Sequence, residues 1–111
     1  MNEITWNDFE KVELRAGTIT DVQDFPEARN PAYKVWVDFW EEIWIKKTSA
    51  QITELYSKEE LIGKQIIWVV NFPVKQIGPF RSEFLLTGFH TDEWVVLTSI
   101  ERKIENWLKL S

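Results

Sequence analysis

KQIIWVVNFPVKQIGPFRSEFLL, residues 64–86, is the stretch on which the fold turns. Ile66, Ile67, Val69 and Val70 are β-branched, and an unbroken apolar run of this kind predicts a strand over residues 65–70 that is buried on both sides. Pro73 has no N–H and cannot continue a central ladder, so the chain turns at Asn71, Phe72 and Pro73. A basic connection follows, with Lys75, Gly78, Pro79, Arg81 and Ser82, and leads into a second apolar strand over residues 83–86. Two cations, an asparagine and a hydroxyl therefore gather at one strand-to-strand corner, and that is where a site is expected.

Upstream of the corner, Tyr33, Val35, Val37 and Phe39 alternate with Lys34, Trp36, Asp38 and Trp40, a period-two pattern that predicts a half-buried strand. Glu41 and Glu42 read as a turn, and residues 43–48 as the returning strand of a hairpin. Residues 12–22 read as an earlier strand, with a bulge at Gly17 where the alternation slips by one. The loop between these strands, residues 25–31, carries Pro26 and Pro31. Residues 3–10 predict a short helix with Thr5 as N-cap, Asp8 three positions later, and Trp6 and Phe9 on its inner face. Thr48 with Gln51, and Ser57 with Glu60, each have the spacing of a capping box. The first predicts a helix through Ile52 and Leu55 to Tyr56, and the second a helical turn that ends at Gly63. Beyond the corner, loops surround Phe89, and residues 94–99 and 107–110 are further strand candidates. The order predicts one domain over residues 1–111. Its class is all-β with short helices: a five-stranded OB-fold barrel with a helix between strands 3 and 4 and a short N-terminal helix.

The chain has 111 residues and a formal net charge of -5, the wrong sign for a protein that binds nucleic acid over its whole surface. Any such binding needs a local basic patch. There is no cysteine, which excludes disulfides and thiolate-held metals. No apolar run approaches the roughly 20 residues that span a bilayer, so membrane insertion is not expected. The N-terminus has neither the basic nor the apolar region of a secretory signal, and a cytoplasmic location is the expectation. His90 is the single histidine and sits in a polar loop. No nucleophile elbow, zinc-protease helix or phosphate-cradling glycine loop is present, so no enzyme, metal or cofactor is expected. Among the basic residues, Lys34 falls on the polar face of its strand. Lys46 and Lys47 point to opposite faces, so only one of them can join a given patch.

Five segments in order carry a family resemblance: DFEKVELRAGTI (8–19), FPEARNPAYKV (25–35), KKTSAQIT (46–53), LIGKQI (61–66) and NFPVKQIGPFRSEFL (71–85). The chain resembles the tRNA-binding OB-fold family over essentially its whole length, in the free-standing CsaA-type branch. The resemblance implies a homodimer of barrels that binds tRNA by shape and backbone. In the other activity described for this branch, an export-related chaperone engages unfolded or export-bound polypeptides. It implies RNA contacts from Lys34, Lys46, Gln51, Asn71, Lys75, Arg81 and Ser82. The cations would meet phosphates, and the amides and hydroxyl would give directional hydrogen bonds. The alternative places an apolar peptide at the dimer cleft against Phe72, Phe80 and Phe84. Glu83, beside the patch, is expected to weaken phosphate binding.

The chain has four glycines and seven tryptophans. Trp40, Trp44, Trp68, Trp94 and Trp107 fall where relatives would carry glycine or another small residue. One reading is an engineered or divergent glycine-to-tryptophan variant, and positive φ angles at several of these positions would mark it. The other is a tryptophan-rich natural core.

Overall fold

The computed structural model describes residues 1–40 and 44–111, with backbone only at 44 and 45. The expected turn at Glu41 and Glu42, and Ile43 after it, lie outside the described residues. The alternation in residues 33–40 forms the wall of the core. Strand β2 (Tyr33–Trp40) buries Tyr33, Val35, Val37 and Phe39 and turns the residues between them outward. Strand β1 (Leu14–Asp24) pairs with β2 through its second half and with β4 (Gln65–Val69) through its first half.

The irregularity in β1 lies between Ile19 and Asp21, not at Gly17. Gly17 is required for a different reason. A Cβ there would fall 2.6 Å from the Phe39 ring, and its carbonyl accepts the Trp68 indole N–H at 3.0 Å. Close approach, not a bulge, therefore fixes glycine at this position.

Helix α1 (Trp6–Glu10) is closed by the predicted reciprocal cap between Thr5 and Asp8. Its apolar face is not an inner face, however: Trp6 is 63% exposed. A one-and-a-half-turn helix can satisfy its own N–H groups without burying its side chains.

Strand β3 (Trp44–Ala50) runs two residues beyond the predicted end and overrides the capping box at Thr48. The helix expected through Ile52 and Leu55 to Tyr56 does not form. The single helix between β3 and β4 is α2 (Lys58–Leu61), held by the Ser57–Glu60 cap and followed by Gly63 at φ 93°. Burial explains the override. Thr48, Ala50 and Ile52 alternate inward, and the Thr48 hydroxyl bonds to the Phe84 carbonyl and to the Ser82 hydroxyl at 2.9 Å, not to a helical N–H. Tertiary satisfaction of a buried hydroxyl outweighs a local cap worth about 1 kcal/mol.

The basic connection after Pro73 is itself a hairpin, β5 (Lys75–Ile77) and β6 (Phe80–Ser82), turning at Gly78 with φ 56°. The second apolar strand is short, β7 (Leu85–Leu86), and pairs with β4. Strands β8 (Gly88–His90) and β9 (Val95–Leu97) form a further hairpin. Residues 107–110 lie along β1, with backbone bonds from Trp107 to Ala16, Ala16 to Leu108 and Leu110 to Leu14.

The main sheet has the order β3-β2-β1-β4-β7. Residues 82–84 come back to β3 and bring the barrel close to closure. The Glu83 N–H donates to the Lys47 carbonyl at 3.0 Å, and the Ser49 N–H donates to the Ser82 hydroxyl at 3.1 Å. This is the five-stranded OB-fold barrel that the sequence predicts. No helix of the described residues is long and apolar enough to cross a membrane.

The tryptophans do not share one explanation. Trp68 is fully buried, with its N–H satisfied, and packs edge-on against Phe84 at 5.3 Å. It is a core residue. Trp107 alone among the described non-glycine residues has positive φ, at 77°. The Trp44 side chain lies outside the described residues. Glycine-like backbone is thus confined to one of the five positions, which the variant reading does not predict.

Candidate nucleic-acid interface

The hairpin β5–β6 folds against the outward face of β2 and β3. Beneath it is a second, smaller core of Phe25, Ala32 and Phe80, joined by Trp36 and Ile77. The Phe25 and Phe80 rings are 5.2 Å apart, and Trp36 meets Phe80 edge-on at 6.2 Å. Two lysines reach over this aromatic cluster. The Lys34 ammonium lies 5.0 Å from the Phe25 centroid and 5.5 Å from that of Phe80, and the Lys47 ammonium lies 5.8 Å from Phe80.

Strand register decides which of the paired lysines takes part. Lys47 stands opposite Trp36 and shares its outward face, whereas Lys46 stands opposite the buried Val37. The Lys46 ammonium is 3.7 Å from Glu83. The sequence allowed one of the two lysines and pointed to Lys46; the geometry brings Lys47 to the patch instead. The same contact resolves the position of Glu83. One of its carboxylate oxygens faces Lys46 and the other accepts the Lys47 N–H at 3.3 Å, so its charge is held at the barrel seam.

Lys75 and Arg81 are both exposed, on opposite strands of the hairpin. Alternation along β6 puts Arg81 on the face away from Phe80, while Lys75, opposite Ser82, lines a neighbouring cleft. Among the described residues, no carboxylate lies within 4 Å of Lys34, Lys47, Lys75 or Arg81. By contrast Lys11, Arg15, Lys46, Lys58, Arg102 and Lys109 each have one. Arg29, Lys64 and Lys103 have none either among the described residues, so four of the seven cations without a carboxylate partner surround this one hairpin, while Lys64 and Lys103 line a separate cleft.

The predicted polar residues divide differently. Asn71 accepts the Glu13 N–H at 3.1 Å and donates to the Lys11 carbonyl at 2.7 Å, tying the corner to the segment before β1. The Ser82 hydroxyl accepts the Ser49 N–H and donates to the Thr48 hydroxyl, whose own hydrogen goes to the Phe84 carbonyl. Both therefore hold structure. Gln51 is exposed at the end of β3, on the cleft. Of the three phenylalanines, Phe80 and Phe84 are buried and only Phe72 is exposed. Lys47, Phe25 and Trp36, outside the expected set, also belong to this cluster. The outward set of Lys34 and Trp36 opposite Lys47 is visible in the alternation once the hairpin register is known.

Comparison with known proteins follows this geometry. Residues 14–106 match the family model described as "Putative tRNA binding domain". The chain belongs to that family. Among solved structures, the CsaA chaperone from Picrophilus torridus is 48% identical, with a TM-score of 0.92 over 98% of this chain and 100% of that one. The CsaA chaperone from Bacillus anthracis is 41% identical, with a TM-score of 0.91 over 99% of this chain and 100% of that one. Curated relatives in the tRNA-binding domain family include the methionine–tRNA ligase of Nanoarchaeum equitans, 32% identical over 101 residues. That match takes in 91% of this chain and 13% of the ligase. The ligase of Thermococcus onnurineus is 29% identical over 92% of this chain and 14% of its own length. The chain thus spans about one-seventh of the length of the ligases it matches.

Proposed function

We propose that this protein binds tRNA without catalysis, acting through the backbone of the RNA on the outer β2–β3 face and the β5–β6 hairpin. The observation that carries this reading is the clustering of Lys34, Lys47, Lys75 and Arg81 with no carboxylate near them among the described residues. The rings on this face, Phe25 and Phe80, are buried under the lysines and are not open for stacking. The face therefore offers charge to phosphates, which positions an RNA without reading its sequence. The family match and the ligase relatives support the same reading.

We further propose that it works as a cytoplasmic homodimer, as the family resemblance implies. Ile4, Trp6, Leu108 and Leu110 are exposed, and Lys109 bonds to the Glu10 carbonyl, so α1 and the tail present apolar residues side by side.

The test is a tRNA titration at two salt concentrations, on this protein and on a Lys75→Glu/Arg81→Glu variant. Affinity should fall with salt and be lost in the variant. A folded protein that binds no tRNA at low salt would exclude the reading. A polypeptide-binding role is the second reading. It is supported by the similarity to the CsaA chaperones and by the exposed Phe72, Val74 and Leu85 near the cleft. It predicts salt-tolerant suppression of client aggregation.

A further inference from the structure

A cleft of about 730 Å³ borders the basic face, between the end of β3, the corner at Phe72 and strands β7 to β9. Its floor is apolar, with Phe84, Leu86 and Val95. Its rim carries Phe72, which is 54% exposed, together with Lys75, Gln51 and His90. Among the described residues, no Asp or Glu lines this cleft. The adjoining depression, which shares His90, is lined by Glu54, Asp92 and Glu93. An anionic chain leaving the cleft is therefore repelled on that side. It is drawn along β5 and β6 toward Lys75 and Arg81, and so onto the lysines over Phe80. Charge thus favours a polyanion over an apolar polypeptide. The exposed ring, with a cation and an amide on the same rim, is the combination that holds an unstacked base.

We propose that this cleft takes a single unpaired base of the bound RNA, its face on the Phe72 ring, its edge against the Gln51 amide and its phosphate on Lys75. The inference rests on the RNA-binding reading and adds to it. The basic face is indifferent to sequence and strandedness, whereas the cleft selects RNA with a base free to be splayed out. A loop, bulge or end would supply one, and a continuous duplex would not.

Fluorescence anisotropy with a short unstructured oligouridylate and with an RNA duplex of the same length provides the test. Phe72→Ala, a change at an exposed position, should weaken binding of the single strand roughly tenfold and leave the duplex unchanged. Phe72→Trp should restore it. An oligomer carrying 5-iodouridine should crosslink on irradiation to the tryptic peptide that contains Phe72. Suppose Phe72→Ala leaves the single strand unaffected while Lys75→Glu/Arg81→Glu still abolishes tRNA binding. The cleft inference then fails and the backbone reading stands. Absence of binding to any of these RNAs at low salt overturns both. Salt-independent binding of an extended apolar peptide, lost in Phe72→Ala, would make the cleft a polypeptide site and also overturn the proposal.

Discussion

The Lys47 ammonium lies 5.8 Å from the centre of the Phe80 ring, and the same ring receives the Lys34 ammonium at 5.5 Å. Each contact contributes about 0.5–1 kcal/mol at a site of this exposure. That attraction offsets the repulsion between two ammoniums drawn to one ring and keeps both aimed at the same region of solvent. A phosphate arriving there meets two cations already in position, so less side-chain freedom is lost on binding.

Lys47→Glu should therefore weaken tRNA binding and lower the salt dependence by about one phosphate contact. Lys46→Glu should change it far less, because Lys46 faces Glu83 at the seam. Titrations at several salt concentrations measure both slopes. Equal effects of the two substitutions would refute the assignment of Lys47 to the face.

Thr48 is 1% exposed, and its hydroxyl serves both Ser82 and the Phe84 carbonyl. Thr48→Val keeps the shape but leaves the Phe84 carbonyl without its hydroxyl donor and the Ser82 hydroxyl with only the Ser49 N–H, at a cost of about 1–3 kcal/mol. Urea denaturation should show this loss as a lower midpoint with an unchanged slope.

How much of this was legible in the sequence depended on whether the signal was local. The alternation of Tyr33 to Phe39 and the two self-contained caps at Thr5 and Ser57 appear in the structure as expected, because neighbouring residues determine them. The box at Thr48 failed because its hydroxyl is satisfied by residues 34 and 36 positions away. Which of Lys46 and Lys47 shares the outward face was not legible for a related reason: hairpin register, not composition, decides which face each one joins. The inward alternation of Thr48, Ala50 and Ile52 was present in the sequence and would have extended the strand. Asn71 was expected to contact RNA; its hydrogen-bond partners, at residues 11 and 13, lie across the fold and could not be read locally.

Trp107 poses a question of magnitudes. Its φ of 77° costs about 1–2 kcal/mol for a residue with a Cβ. Against this stand the edge-on contact with Phe39 at 5.7 Å and the Arg15 guanidinium 4.5 Å over the indole. These are worth about 0.5–1.5 and 0.5–1 kcal/mol, in addition to the burial of the ring. Trp107→Gly should thus destabilise the protein by about 1 kcal/mol even though it relaxes the backbone. A more stable glycine variant in thermal unfolding would mean that the ring contributes little.

The Asp8 carboxyl is held below its ordinary value of 3.8, chiefly by the Thr5 backbone N–H, then by the Thr5 hydroxyl, with Lys11 assisting. A carboxyl with a depressed native pKa stabilises the fold above its unfolded value and loses that contribution as pH falls through the native one. The carboxyl carbon of Asp8, followed by NMR, should titrate with a midpoint below 3.8. In Asp8→Asn the Thr5 amide signal should no longer move over the same range. A midpoint at or above the ordinary value would mean that the reciprocal cap is not populated in solution.

Among the described residues the barrel seam has one backbone bond, from Glu83 to Lys47, where β1 and β2 share a ladder, and its other links pass through Thr48, Ser82 and Glu83. It is therefore the least costly place for the barrel to open without unfolding. Amide hydrogens of Ser49 and Glu83 should exchange with solvent sooner than those of the β1–β2 ladder. Because Ser49 and Ser82 also line the cleft, each such opening would widen the space beside Phe72. A bound RNA that holds the seam shut would then appear as slower exchange at these two amides, a local clock for occupancy of the cleft.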